Sequence, residues 1–255
     1  MNLDQLITKS NWSLIEFLCA LLENVSKVLR GLEGEKRPTA NLIMPMVVKL
    51  QENWQSLGST NKNHFKALIE FSIVHLNNRL PLNDLKSTNN WMLIACWCDP
   101  RFSDFEFLGI EASVKERYIT YCQKVAREWI YEEKKKSATV EEKSDSEDYL
   151  FSEQSADDDE TDVYMNLVAP KTSHFDVLAF WRSHHELPYL KQFAFQYLSI
   201  PASSASSERV FSRANLVVSK LRSRLTNNSA KQMTYISVNS VLENQDEPGL
   251  DWDLE

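Results

Sequence analysis

Glycine is scarce in this chain, five residues in 255, and proline is modest at eight. Tight turns and bulges depend on those two residues, so the shortage disfavours barrels and sandwiches and favours long helices. Long apolar runs are missing too. None approaches the roughly 20 residues a helix needs to cross a bilayer, so no membrane partner is expected. Met1-Asn2-Leu3-Asp4-Gln5 has no basic start followed by an apolar stretch, which speaks against a secretory leader. Cysteine is sparse and irregular, at Cys19, Cys96, Cys98 and Cys122. That usage suits thiols, partly buried, in a reducing compartment. Cys96-x-Cys98 lacks the paired Cys-x-x-Cys spacing of structural zinc. His184-His185 beside Glu186 offers no better site, because sequential side chains diverge on a helix. No metal site is assigned.

What the chain does have is acid, and it is concentrated. Residues 141–162 hold eleven acids against one lysine, a net charge of −10, whereas the whole chain carries −8. The remainder is therefore near neutral at +2. The wider stretch 137–170 is rich in Ser, Asp and Glu and has few apolar anchors, and within 141–162 Tyr149, Leu150 and Phe151 are the one apolar cluster. Such composition buries too little surface to offset the entropy of ordering, so 137–170 is expected to be an unfolded linker.

On either side of it the apolar residues recur at helical spacing. Ile15, Cys19, Leu22 and Leu29 mark a first helix, with Asn11 as its expected cap and Gly31 and Gly34 at its end. Ile43, Val47, Leu50 and Trp54 mark a second, regular from Pro45. Phe65, Leu68, Ile69, Ile73 and Leu76 mark a third, stopped by Pro81. Trp91 to Cys98 is a short apolar run broken by Pro100, and Asp99-Pro100 reads as a turn after it. Val114, Tyr118, Tyr121, Val125 and Trp129 mark a long helix running out into Glu132-Glu133-Lys134-Lys135-Lys136. Beyond the linker, Val177, Phe180, Trp181 and His184 begin a helix, and Pro188 separates it from one carrying Tyr189, Phe193 and Tyr197. Another opens near Ser203 or Ser204, and a last one covers about Ala230 to Leu242. The expected units are a helical block 1–136, the linker 137–170, a helical block 171–243 and a loose tail 244–255.

Two features of the second block bear on function. Its aromatic residues are dense, and two short helices would leave apolar area exposed unless something covers it, either the chain's own core or a partner. It is also basic: between 172 and 242 the bases exceed the acids by five, with Arg209, Arg213, Arg222 and Arg224 among them. That is either a solvated face or a surface for phosphates. Glu208 falls in or near the first turn of its helix, where an acid complements the dipole by roughly 0.3–1 kcal/mol and a preceding Ser caps free N–H groups.

The run Ser203-Ser204-Ala205-Ser206-Ser207-Glu208-Arg209-Val210-Phe211-Ser212, followed by Arg222-Ser223-Arg224-Leu225, resembles the C-terminal signature of hAT-family DNA transposases and of host proteins descended from them. Trp12 through Trp54, including Glu35-x-x-Pro38-Thr39, resembles the helical insertion of hAT and ZBED-type proteins. Asp99-Pro100-Arg101-Phe102 resembles the family's L-D-P-R-F-K element, with Cys98 for Leu and Ser103 for Lys. Asp176-x-x-x-Phe180-Trp181, Tyr189-Leu190 and Ala194-x-x-Tyr197-Leu198-x-Ile200-Pro201 resemble the start of the family's dimerisation region, and Asn239 its closing Asn.

The resemblance implies a mainly α fold: the C-terminal fragment of an RNase H-like transposase core with its all-helical insertion domain. It places Glu208 at the last acid of an Asp-Asp-Glu metal site. Such chemistry needs several carboxylates around two metal ions about 3.5–4 Å apart, which one Glu does not supply. Family members carry a BED-type zinc finger and two catalytic Asp residues ahead of the insertion. The motifs here begin inside the insertion, so neither is expected. The expected function is a nuclear, catalytically inactive dimerisation module with no cofactor and no small-molecule substrate. Its partner would be itself or another hAT-type chain, met through Phe180, Trp181, Tyr189, Leu190, Phe193, Tyr197, Leu198 and Phe211. One alternative is the catalytic C-terminal half of a transposase, using Mg²⁺ and a partner that supplies both Asp residues. The other is a helical DNA- or chromatin-binding accessory using Arg209, Arg213, Arg222 and Arg224. Exposed apolar surface is expected where a missing half would pack.

Overall fold

The structure, a computed structural model, describes residues 8–60, 65–80, 90–141, 159–167, 169–172, 174–217 and 226–242. Ten α-helices cover most of them: α1 Lys9–Leu32, α2 Ile43–Thr60, α3 Lys66–Arg79, α4 Asn90–Trp97, α5 Ala112–Glu141, α6 Glu160–Met165, α7 Val177–Ser183, α8 Pro188–Leu198, α9 Ala205–Val217 and α10 Asn227–Leu242. Among the described residues there is no strand, so the fold is mainly α as expected.

Helix boundaries follow local chemistry. Thr8, not Asn11, caps α1: its Oγ1 accepts the Asn11 N–H at 3.3 Å. The helix runs through Gly31 to Leu32 and ends at Glu33. α2 begins at Ile43, two residues before Pro45, because the first turn of a helix has no N–H bonds for proline to break. α5 continues through the charged run to Glu141, five residues past the expected edge of the linker. Asp176 caps α7, its Oδ1 accepting from the Leu178 and Ala179 N–H groups at 2.9 and 3.0 Å.

α4 is the centre. Met92 through Trp97 are all buried, a helix apolar on every side because neighbours surround it. α2, α5, α6, α7 and α8 close around it with Met44, Val47, Tyr118, Cys122, Tyr164, Trp181, Leu190 and Phe193. A smaller cluster joins Phe17 and Leu21 of α1, Leu50 and Trp54 of α2, and Ile69 of α3. α2 serves both, its first turns in the main core and its later turns in the satellite. Phe17 and Phe65 stack at 4.3 Å in the smaller cluster.

The unfolded-linker expectation fails for 159–167. Those residues contain α6, with Thr161 and Tyr164 buried in the main core. Asp159 caps the helix through bonds from the Thr161 N–H and hydroxyl, and Arg127 of α5 pairs with both Asp159 and Asp162. A basic residue on α5 offsets the local acidity that composition alone counts against folding. Residues 142–158 lie outside the described ones, as do 243–255.

Candidate functional site

The C-terminal end of α4 is buried, so its last carbonyl groups need partners from within the protein. α6 and α7 supply them. The Tyr164 hydroxyl donates to the Trp97 carbonyl at 2.7 Å. The Trp181 indole donates to the Cys98 carbonyl at 2.8 Å. The two rings stack at 5.1 Å. The Trp97 indole in turn reaches the Met165 sulfur at 3.3 Å.

This placement corrects the expected partner surface. Trp181, Leu190, Phe193 and Leu198 are spent inside the chain's own core. Phe180, Tyr189 and Tyr197 are half-buried against it. Burial also pushes the Tyr197 hydroxyl above its ordinary range. The dense aromatic stripes have a receiver within the same chain, α4 and α5, which helical periodicity in 175–198 does not reveal.

α8 has Leu187 at its cap position and no side-chain cap of its own. Glu160 serves instead, from 30 residues upstream: its Oε2 accepts the Leu190 N–H at 2.6 Å and its Oε1 the Tyr189 N–H at 3.4 Å. A carboxylate there also complements the positive end of the helix dipole.

Past Pro201 the character changes. α9 and α10 pack chiefly on each other as a helical hairpin. Its large apolar residues are exposed: Phe211 is 68% exposed, Tyr235 73% and Ile236 65%, and Met233 and Val210 are exposed as well. Phe211 was expected at an interface, whereas Met233, Tyr235 and Ile236 were not singled out. The signal was adjacent apolar residues in the last helix, with no core stripe opposite to receive them.

Glu208 lies exposed in the first turn of α9, and the Ser204 hydroxyl donates to its Oε1 at 2.9 Å. This is the helix-terminal arrangement described above. Among the described residues, no group of three His, Cys, Asp or Glu side chains stands close enough to share a metal ion. Arg209 is engaged: its guanidinium pairs with Glu35 at 2.6 Å and Glu33 at 3.7 Å and donates to the Glu33 carbonyl at 3.1 Å. Arg213 donates to the Ser237 carbonyl at 3.5 Å and ties α9 to α10. Of the four expected phosphate contacts, these two therefore make contacts within the chain. Arg222 and Arg224 lie outside the described residues.

Positive charge gathers elsewhere. A cleft of about 710 Å³ opens between α1–α2 and residues 174–182. Lys27, Lys36, Arg37, Lys49, Arg101 and Arg182 border it; among the described residues Asp176 is the acid on its wall, and Lys27 and Lys49 pair with Glu23 and Glu52 beside it. Arg101 is fixed by Asp99, whose carboxylate takes the Arg101 Nη2 at 2.6 Å, Nε at 3.0 Å and backbone N–H at 3.1 Å. Asn41 adds its Nδ2–H at 2.6 Å. Asp99 is fully buried and paired, so it anchors the turn. The guanidinium of Arg101 lies over the Phe102 and Phe175 rings at 5.0 and 5.4 Å and donates to the Thr172 carbonyl at 3.3 Å. The cleft cations come from positions 27 to 182, so no local run of sequence announces them.

Residues 148–240 match the hAT family C-terminal dimerisation region. The matched span takes in α6 through α9 and most of α10. No curated protein matches the chain. The chain carries an hAT-type dimerisation region and is related through it to hAT-family transposases.

Proposed function

Proceeding from that dimerisation region, we propose that the chain is a self-association module that works in the nucleus without catalysis of its own, pairing with itself or another hAT-type chain. The supporting observation is the outward apolar face of α9–α10, with Phe211, Tyr235 and Ile236 each at least 65% exposed. Large apolar side chains left exposed on both helices of one hairpin supply area that an interaction surface covers. Arg209 of α9, paired with Glu33 and Glu35, ties the start of the hairpin to the end of α1.

Sedimentation or light scattering of the full chain tests this. The wild type should be dimeric at tens of micromolar. Phe211→Ser with Ile236→Ser should shift it to monomer with unchanged circular dichroism, since neither side chain contributes to the core. A double variant that stays dimeric, or a monomeric wild type, contradicts the reading. Absence of catalysis rests on Glu208 standing alone, and DNA cutting by wild type that Glu208→Ala abolishes would reverse it. A nuclear site follows from the resemblance to DNA-acting proteins, and imaging of a fluorescent fusion checks it.

A second reading is contact with nucleic-acid phosphates. The cation-ringed cleft, not Arg209 or Arg213, favours it. Reversing Lys36 and Arg182 to Glu should then lower oligonucleotide affinity and its salt dependence together.

A further inference from the structure

The stripe that marks α1 in the sequence, Ile15, Cys19, Leu22 and Leu29, is not the face that α1 buries. Its core side carries Phe17 and Leu21, with Val25 and Val28 beside them, in the cluster with Leu50 and Trp54 of α2 and Ile69 of α3. The stripe itself is on the surface: Leu22 is 58% and Leu29 51% exposed, and Trp12, Ile15 and Cys19 are exposed with them. A surface helix that packs on one side normally turns polar residues to the other. α1 is apolar on two sides, and no other described helix leaves as many large apolar side chains exposed.

The spacing of this exposed row says what fits it. Trp12, Ile15, Cys19, Leu22, Ser26 and Leu29 follow one another in steps of three, four, three, four and three residues, and Ser26 is exposed like the rest. A row that repeats every seven residues stays in line with another helix when the two supercoil, each of its side chains entering a gap between four of the partner's. The occupant is therefore a helix with a row of the same spacing. Among the described residues, the exposed row that runs furthest is that of α1 itself.

We infer that the outer face of α1 is a second self-association surface, pairing antiparallel with α1 of a second copy. The row runs from Trp12 to Leu29, about 26 Å of helix axis. On a helix about 10–12 Å across, that length supplies on the order of 600 Å² per copy, the lower end of what a stable dimer needs. Direction follows from charge. Glu16 borders the row in its first half and Arg30 in its last turn, while Glu23 is paired with Lys27 in the same helix. Antiparallel packing sets Glu16 of one copy on the Arg30 side of the other, whereas parallel packing sets like charges at the same height. The small area makes this a weak contact that forms at high concentration. It is separate from the α9–α10 face and does not rest on it. Two different pairing faces on one chain join dimers into tetramers or longer assemblies.

Crosslinking and sedimentation of the full chain test this. Cys19 lies on the row and is exposed, whereas Cys96, Cys98 and Cys122 are buried. A short bismaleimide should therefore join two copies through Cys19 at several hundred micromolar protein. Leu22→Lys with Leu29→Lys should lower the yield about tenfold with unchanged circular dichroism, since both side chains stand more than half outside the fold. Phe211→Ser with Ile236→Ser should leave most of the yield, and that chain should sediment as a dimer at the same concentration. Adding Cys19→Arg to it, a charge at an exposed position of the row, should return it to monomer even if the lysine pair unfolds the chain. A Phe211→Ser, Ile236→Ser chain that stays monomeric at several hundred micromolar, or crosslinks indifferent to the lysine pair, overturns the inference and leaves the α9–α10 reading standing. Crosslinks lost with the lysine pair, in a chain whose assembly ignores Phe211→Ser with Ile236→Ser, support this inference alone and count against the α9–α10 face.

Discussion

Trp181 donates its indole N–H to the carbonyl of Cys98 across 2.8 Å, although 83 residues separate them. The bond closes the buried C-terminal end of α4 with a residue of α7. It links the two halves of the sequence across the acidic stretch, and Tyr164 repeats the arrangement one carbonyl earlier. The dimerisation-type region therefore completes the core of the first block.

Trp181→Ala should destabilise the chain by about 3–5 kcal/mol, the usual cost of truncating a buried aromatic. Trp181→Phe keeps most of the volume but strands the Cys98 carbonyl, at about 1–3 kcal/mol. Urea denaturation followed by circular dichroism reads both. A Trp181→Ala chain that keeps its midpoint and only loses dimerisation would return this residue to an interface role.

Glu160→Ala should cost about 1 kcal/mol by removing the acceptor for the first free N–H groups of α8. Glu160→Gln should recover part of the loss, since a carbonyl oxygen still accepts but the charge on the dipole is gone. Equal midpoints for wild type and Glu160→Ala would show that water replaces the carboxylate at no cost.

Partial burial pushes the Asp159 carboxyl upward, but bonds from Thr161 and then from Arg127 outweigh it and leave the group below the usual carboxylate range. A depressed folded value contributes stability above the unfolded value, near 3.9, and loses it as pH falls through the folded one. Docking of α6 on α5 should therefore be at full strength near neutrality and weaken below about pH 4. Hydrogen exchange across 159–167 against pH measures this. Asp159→Asn should flatten the acid limb, and an unchanged limb refutes the assignment.

Burial pushes the thiols of Cys96, Cys98 and Cys122 well up, with the charge of Asp99 adding to it at Cys96 and Cys98. Only Cys19 is exposed. Maleimide labelling read by mass spectrometry should find one modified cysteine in the native chain and four after denaturation. Rapid native labelling at Cys96 or Cys98 would mean that α4 opens.

Much of the helical order was legible beforehand because 3.6-residue periodicity survives in sequence wherever one face is buried. It located α1, α2, α3, α5, α7 and α8, and the apolar run of α4. It misjudged α6, because composition weighs Asp159, Glu160 and Asp162 as repelling charges. Arg127 and the N-terminus of α8, which receive them, lie about 30 residues away on either side. The aromatic stripes of 175–198 were equally visible, but whether they faced a core or a partner depended on α4.

By itself the sequence determined a helical chain with one strongly acidic stretch and an hAT-type C-terminal motif set, since propensity, charge and motif spacing are local properties. Only the tertiary structure decided which aromatics are core and which, on α9 and α10, remain on the surface. It also decided that Arg209 is held by Glu33 and Glu35, and that six cations from α1, the α1–α2 connection, α2 and residues 101 to 182 share one cleft. Burial and charge assembly arise from contacts between distant segments, and no window along the chain contains both sides of such a contact.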